Sequence, residues 1–257
     1  MERDFEGREG SYTFNILEDA VLLEDIVLPD FVRNLRLQSE WMWREHYDEE
    51  GNVIEIYDEE GNFMGIEGHH DVYVATLDLN GHIISLAGHI EVFEGLHVIS
   101  DTTTKGELIS TSQDGGVVIH QIDNGGLISA TGGAIEVNMD KPFVILDNVD
   151  VVAEKAGVDL WSLRGAYTVN GDITARFMNV RGTWTVEDVM VTTDLCLESG
   201  WYDEENDCGE PDGYLTADNV SIYGGHMYNG GRLVVKDTFT AKNSHIENYG
   251  TLIADKL

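Results

Sequence analysis

The residues whose types and spacing invite chemistry lie close together in the last quarter of the chain. Residues 202–213 read Tyr-Asp-Glu-Glu-Asn-Asp-Cys-Gly-Glu-Pro-Asp-Gly. Within them Asp203, Glu205, Asp207 and Asp212 are hard oxygen donors of the kind that calcium or magnesium takes. Their spacing lacks the EF-hand register, so the competing reading is a solvated acidic loop. The only two cysteines, Cys196 and Cys208, stand twelve positions apart around this segment. A disulfide between them is expected if the chain works outside a cell, and free thiols if it works inside one. Two cysteines are too few for the paired ligand clusters of a structural zinc site.

Histidine offers a second, weaker route to a metal. Six of the nine histidines fall between His69 and His120, and His69-His70-Asp71 with His82 and His89 would suit zinc, copper or nickel if folding brought them together. No spacing predicts that convergence, so surface histidines are the simpler expectation. Carboxylates are so abundant that pairs at glycosidase separation arise in any fold, and they are not evidence of sugar hydrolysis. The chain has no Gly-x-Ser-x-Gly, His-Glu-x-x-His, phosphate-binding loop or dinucleotide fingerprint. The expectation is a protein that is not an enzyme and requires no cofactor, a divalent cation apart.

The 257 residues include 48 Asp+Glu and 15 Lys+Arg, a formal net charge of −33. A surface so acidic excludes binding to a nucleic-acid backbone, which needs basic residues to displace counterions. It also excludes adsorption to anionic membranes, and no apolar run is long enough for membrane insertion. Disorder is excluded too, because 42% of residues are hydrophobic and 9% aromatic. Self-repulsion on this scale relaxes only when salt shortens the Debye length, to roughly 3 Å at 1 M. The residues around Met1 carry no hydrophobic signal, so the chain is expected to stay where it is made or to leave a cell inside a particle.

The elements that must carry these residues show in a repeat. A glycine is followed by apolar residues at +2, +4, +7 and +9: Gly171 by Ile173, Ala175, Met178 and Val180; Gly182 by Trp184, Val186, Val189 and Val191; Gly213 by Leu215, Ala217, Val220 and Ile222. After Gly231 the pattern is Leu233, Val235 and then Phe239 and Ala241, a slip of one residue. Alternation at period two signals strands, and the extra residue after +4 signals a bend. Leu215, Leu233 and Leu252 recur at intervals of 18 and 19, as Leu108 and Leu127 do at 19, and Asn124, Asn229 and Asn248 mark one phase. A unit of 18–19 residues with two or three short strands is one coil of an all-β parallel solenoid, in which equivalent asparagines form ladders. A β-sandwich is the rival, but its strands have no reason to recur at a fixed interval. Residues 141–164 and 195–213 depart from the repeat and are expected as expelled loops, with one helical turn conceivable in 149–161.

The N-terminal part reads differently. Tyr47-Asp-Glu-Glu-Gly-Asn and Tyr57-Asp-Glu-Glu-Gly-Asn open a tandem decapeptide, which predicts tight turns in a β-meander over 47–66. Trp41, Trp43, Tyr47 and Tyr57 cluster around it as an oligomer-contact or docking surface, or else as a cap on the open end of the solenoid. The expected division is a β-rich attachment region over 1–71 and a solenoid over 72–257.

Two resemblances follow from these residues. The run Asn-Gly-Gly-Arg-Leu-Val-Val at 229–235, with Ile-Glu-Asn-Tyr-Gly-Thr-Leu-Ile-Ala at 246–254, resembles the β-helical repeats of filamentous-haemagglutinin-type adhesins and the shafts of viral tail spikes and fibres. The excess of acid, with nine Arg but only six Lys, resembles proteins of extreme halophiles and of their viruses. Together they imply a structural virion protein of a virus of a halophilic archaeon: a capsid decoration or turret, tail-fibre or baseplate subunit. Its implied partners are its own copies, as a trimer, other virion proteins, and a host surface glycoprotein or glycan. A scaffold resembling the bactofilins is the alternative, and a polysaccharide-degrading spike a third.

Overall fold

Period-two alternation of Val, Ile and Leu interrupted every few residues by paired polar bends cannot build a flat sheet. In a computed structural model it builds a wound one. The structure describes residues 2–4, 10–39, 41–45, 48, 52–57, 63–66, 68–93, 96–121, 128–130, 133–135, 143–198, 201–203, 208–210 and 213–257. Side chains are described over 10–39, 48, 52–54, 75–93, 96–119, 144–162, 166–198 and 213–257. Among the described residues there is no helix, and an eleven-strand, all-parallel run of the sheet curls through 295°.

Register shows the winding directly. Ala20, Leu77, Val98, Leu146, Val169, Val186, Ala217, Val235 and Ala254 are successive parallel partners along a first face, each buried except at the two ends. A second face stacks Ile26, Ile84, Leu108, Val151 and Ile173, and further along Val189, Val220 and Phe239. The third stacks Leu35, Ile90, Val117, Val158 and Met178, then Leu195, Met227 and Ile246. Each coil is therefore three short strands, and the inward residues of all three faces merge into one core. Trp184, the largest fully buried side chain among those described, is satisfied by donating its indole N–H to Arg181 O at 2.9 Å.

The repeat holds where it is most regular. Leu215, Leu233 and Leu252 are stacked partners, and the slip after Gly231 is real: Val220 faces Phe239 and Ile222 faces Ala241 across a register shift. Asn229 Nδ2 donates to Asn248 Oδ1 at 2.6 Å and to Thr251 O at 3.0 Å, the asparagine ladder. Asn124 lies outside the described residues.

Other expectations need correction. Leu108 stacks on Val151 rather than on Leu127, so that interval of 19 is not a coil. Residues 143–164 are not expelled, because Phe143–Asp147 and the long strand Val149–Asn170 supply a full coil and leave no helical turn. Solenoid pairing also begins at Ser11–Ile16, which stacks on Asn34–Ser39, far before the boundary expected at 72.

Where the first-face interval is long, the chain leaves the solenoid. The steps Leu77 to Val98 and Val169 to Val186 span 21 and 17 residues, but Ala20 to Leu77, Val98 to Leu146 and Val186 to Ala217 span 57, 48 and 31. All three long steps depart after a third-face strand and return at the next first-face strand, so excursions 40–71, 122–142 and 199–212 emerge at one corner. Two of them share a lateral sheet: Trp41–Glu45 pairs antiparallel and Ile128–Ala130 parallel with Gly68–Asp78, and Gly133–Ile135 completes it. Within 47–66 the described pairing is a hairpin of Glu55–Tyr57 with Phe63–Ile66.

Candidate functional site

The expected oxygen-donor segment forms a hairpin. Trp201–Asp203 pairs antiparallel with Cys208–Glu210, with Asp203 opposite Cys208. The side chain of Asp203, and Glu205, Asp207 and Asp212 entirely, lie outside the described residues. Cys196 is a half-buried free thiol on the third face; burial first, and then the Glu198 carboxylate, push its pKa up, which makes it a poor nucleophile. The side chain of Cys208 is outside the described residues, as are those of Trp41, Trp43 and Tyr57 and the whole of Tyr47.

The histidines are separated by the winding. His82 lies beside the second face with Nδ1 3.0 Å from Asp25 Oδ1, and that hydrogen bond, helped by the Ile83 N–H, holds the Asp25 carboxyl below its ordinary range. His89 opens a third-face strand instead. The side chains of His69, His70 and His120 are not among those described. Among the described residues no group of three or more His, Cys, Asp or Glu converges to hold a metal, and no helix is long and apolar enough to cross a membrane.

What the fold does assemble is a groove of about 820 Å³ along the corner between the second and third faces. One wall carries Asp30 and Arg33 of the first coil, and the other end carries Arg176, Thr192 and Thr193. Between them lie Ala87, then Thr111, Ser112 and Gln113, then Glu154 and Lys155. Six successive coils contribute, so at a strand spacing of about 4.8 Å the groove is roughly 24 Å long. Its concavity comes from glycine. A Cβ on Gly88 would lie 2.1 Å from Arg33 O, and one on Gly115 2.4 Å from Gly88 O, so the corner folds inward there as no other residue allows.

Sequence reasoning missed Arg33, Lys155 and Arg176. A signal was present: Lys155 and Arg176 occupy the bend between the apolar pairs of their coils, where a solvent-facing residue in so acidic a chain would be expected to be Asp or Glu. Comparison of the chain with protein-family models, with curated proteins and with solved structures finds no match. The geometry of the site is therefore the whole basis for reading it.

One titration belongs to the scaffold. His97 sits on the first-face strand Leu96–Ile99, and burial lowers its pKa below the ordinary 6.5 against the weaker opposing pull of Asp147 and Asp19. The unfolded chain therefore binds the proton more readily, and stability is lost as the pH falls through 6.5 toward the lowered folded value. The urea midpoint in concentrated KCl should drop between about pH 7.5 and pH 5.5, and His97→Gln should make that drop smaller. An unchanged drop in the variant would remove His97 from the account.

Proposed function

We propose that this chain is a non-enzymatic structural component of a virus particle from a hypersaline host. It is read as a stiff acidic shaft that self-associates, as a trimer, through its last three coils. The observation that carries this is the segregation of charge along the winding. Residues 213–257 hold Arg232, Lys236, Lys242 and Lys256 against Asp218, Asp237, Glu247 and Asp255, a net charge of zero, so the entire −33 lies on 1–212. Two copies approaching side by side repel each other everywhere except along this stretch. The same stretch exposes Tyr214, Tyr223 and Tyr249, aromatic area suited to an interface.

The acid is concentrated further. The three excursions contain 20 Asp+Glu and two Lys+Arg, a net −18, all leaving from one corner. None of the described Asp, Glu, Lys or Arg residues is buried, so the remaining charge solvates the outer faces. The excursions would then meet other virion proteins or a host surface glycoprotein, in a medium whose salt screens them.

Sedimentation in concentrated KCl should give a species of three chains, and the double substitution Tyr214→Glu with Tyr249→Glu should return it to the monomer. Mass spectrometry of purified particles should find the chain, and its absence would overturn the assignment to a virion. A second reading, an intracellular end-to-end scaffold, draws on the same neutral coils and on their even intervals of 18 and 19 residues. Long unbranched filaments of the purified protein in negative stain would favour it over discrete trimers.

A further inference from the structure

The corner groove holds a feature that a solvated surface does not explain. Ten Lys and Arg side chains are described, and five pair with carboxylates: Arg36 with Glu91, Lys105 with Asp150, Arg181 with Glu198, Lys236 with Asp218 and Lys256 with Asp237. Arg33, Lys155 and Arg176 pair with none among the described residues, and all three line the groove. Lys155 and Arg176 also lie in the bends that follow the stacked partners Ala153 and Ala175, which places two cations on adjacent coils, and neither pairs with the neighbouring Glu154. In a chain with a threefold excess of acid, cations left unpaired and side by side mark a place prepared for an external anion.

We infer that the groove binds an extended anionic polysaccharide, a chain of hydroxyl-rich units bearing carboxylate or sulfate groups. The cations take the acidic groups, Arg33 and Arg176 with planar forks suited to carboxylate or sulfate and Lys155 as a point charge. Thr111, Ser112, Gln113, Thr192 and Thr193 present hydroxyl and amide groups to sugar hydroxyls, and Asp30 and Glu154 accept hydrogen bonds from them. The same lining argues against other polymers. Asp30 and Glu154 would face the phosphates of a nucleic acid, which recur about every 3.4 Å along a strand, and no aromatic ring lines the groove for bases to stack on. An acidic peptide would find only Ala87 as an apolar contact. Along the middle of the groove it would find no free strand edge either, because Ile83–Leu86, His89–Val92, Gly106–Ser110 and Gly116–Gln121 are each paired on both sides.

The test is calorimetric titration of the intact protein with oligogalacturonate in about 2 M KCl, where long-range repulsion between protein and polymer is screened within a few ångströms. Saturable binding is expected. Lys155→Gln with Arg176→Gln should weaken it at least about tenfold, the loss that follows removal of hydrogen bonds to charged groups. Arg36→Gln, which removes a solvent-facing cation outside the groove and outside residues 213–257, should leave it unchanged. All three positions are solvent-facing, and circular dichroism checks that each variant keeps its fold. No saturable binding, equal binding by the double variant, or equal affinity for neutral dextran, polyglutamate or single-stranded DNA would overturn the inference.

Discussion

Gly231→Ala should lower the unfolding free energy by about 3 kcal/mol, at the upper end for an overpacked site. The reason is a column of glycines where third-face strands turn into first-face strands. A Cβ on Gly213 would lie 2.3 Å from Val180 O, on Gly231 2.1 Å from Gly213 O, and on Gly250 2.0 Å from Gly231 O. These obstacles are backbone carbonyls of the preceding coil, which cannot move aside as a flexible side chain would. Alanine must therefore push its own coil away from the preceding one at this corner, against the bond from Gly230 N–H to Leu197 O at 2.8 Å. Urea unfolding monitored by circular dichroism measures the change, and a loss below about 1 kcal/mol, the ordinary cost of a modest substitution, would mean that the corner is softer than its contacts imply.

Lys105→Gln should destabilise the protein by about 2 kcal/mol in dilute salt and by well under about 1 kcal/mol in concentrated KCl, allowing for the partial exposure of the groups. Lys105 Nζ lies 2.8 Å from Asp150, 3.2 Å from Asp172 and 3.4 Å from Glu187, one carboxylate on each of the three following coils. Burial alone would lower its pKa, but hydrogen bonds to Asp150 and Asp172 outweigh it and hold the ammonium well above its ordinary value. Without it, three carboxylates about 4.8 Å apart face one another. Only Asp150 keeps a hydrogen bond within the stack, from the Asp172 N–H at 2.8 Å. Thermal melts at about 0.1 M and 3 M KCl should show the variant's deficit shrinking with salt, on a rise in melting temperature shared with the unsubstituted protein. A deficit independent of salt would show that Lys105 acts through packing rather than charge.

The local signals were legible wherever adjacent coils follow each other without interruption. Gly213, Gly231 and Gly250 open units because a side chain there would strike the coil before, and the leucines two residues later fall into one column. The slip at Phe239 was also readable, since a strand that loses one residue of phase must shift its alternation. Legibility failed where a coil is not the next 18 or 19 residues. Leu108 has Val151 as its neighbour because the chain between the two coils is longer than one repeat, and the apparent partner Leu127 lies outside the described residues. The segment over 149–161, with Glu154 and Lys155 between apolar runs, reads equally as one helical turn or as a bent strand. Only hydrogen-bonding partners on both sides select the strand.

What the sequence by itself determined, then, is a parallel coil of two or three short strands, its inward residues, the glycine and asparagine columns, and the exclusion of acid from the core. Each of these follows from alternation and sterics within one or two coils. The tertiary structure alone decided the start of the winding at Ser11, the single corner from which all three excursions leave, and the meeting of Lys105 with three carboxylates up to 82 residues away. It also decided the groove that gathers Arg33, Lys155 and Arg176 from the first, fourth and fifth coils. These depend on which coil stacks on which, a register set by the total length of chain expelled between faces, and no local pattern of residues encodes that length.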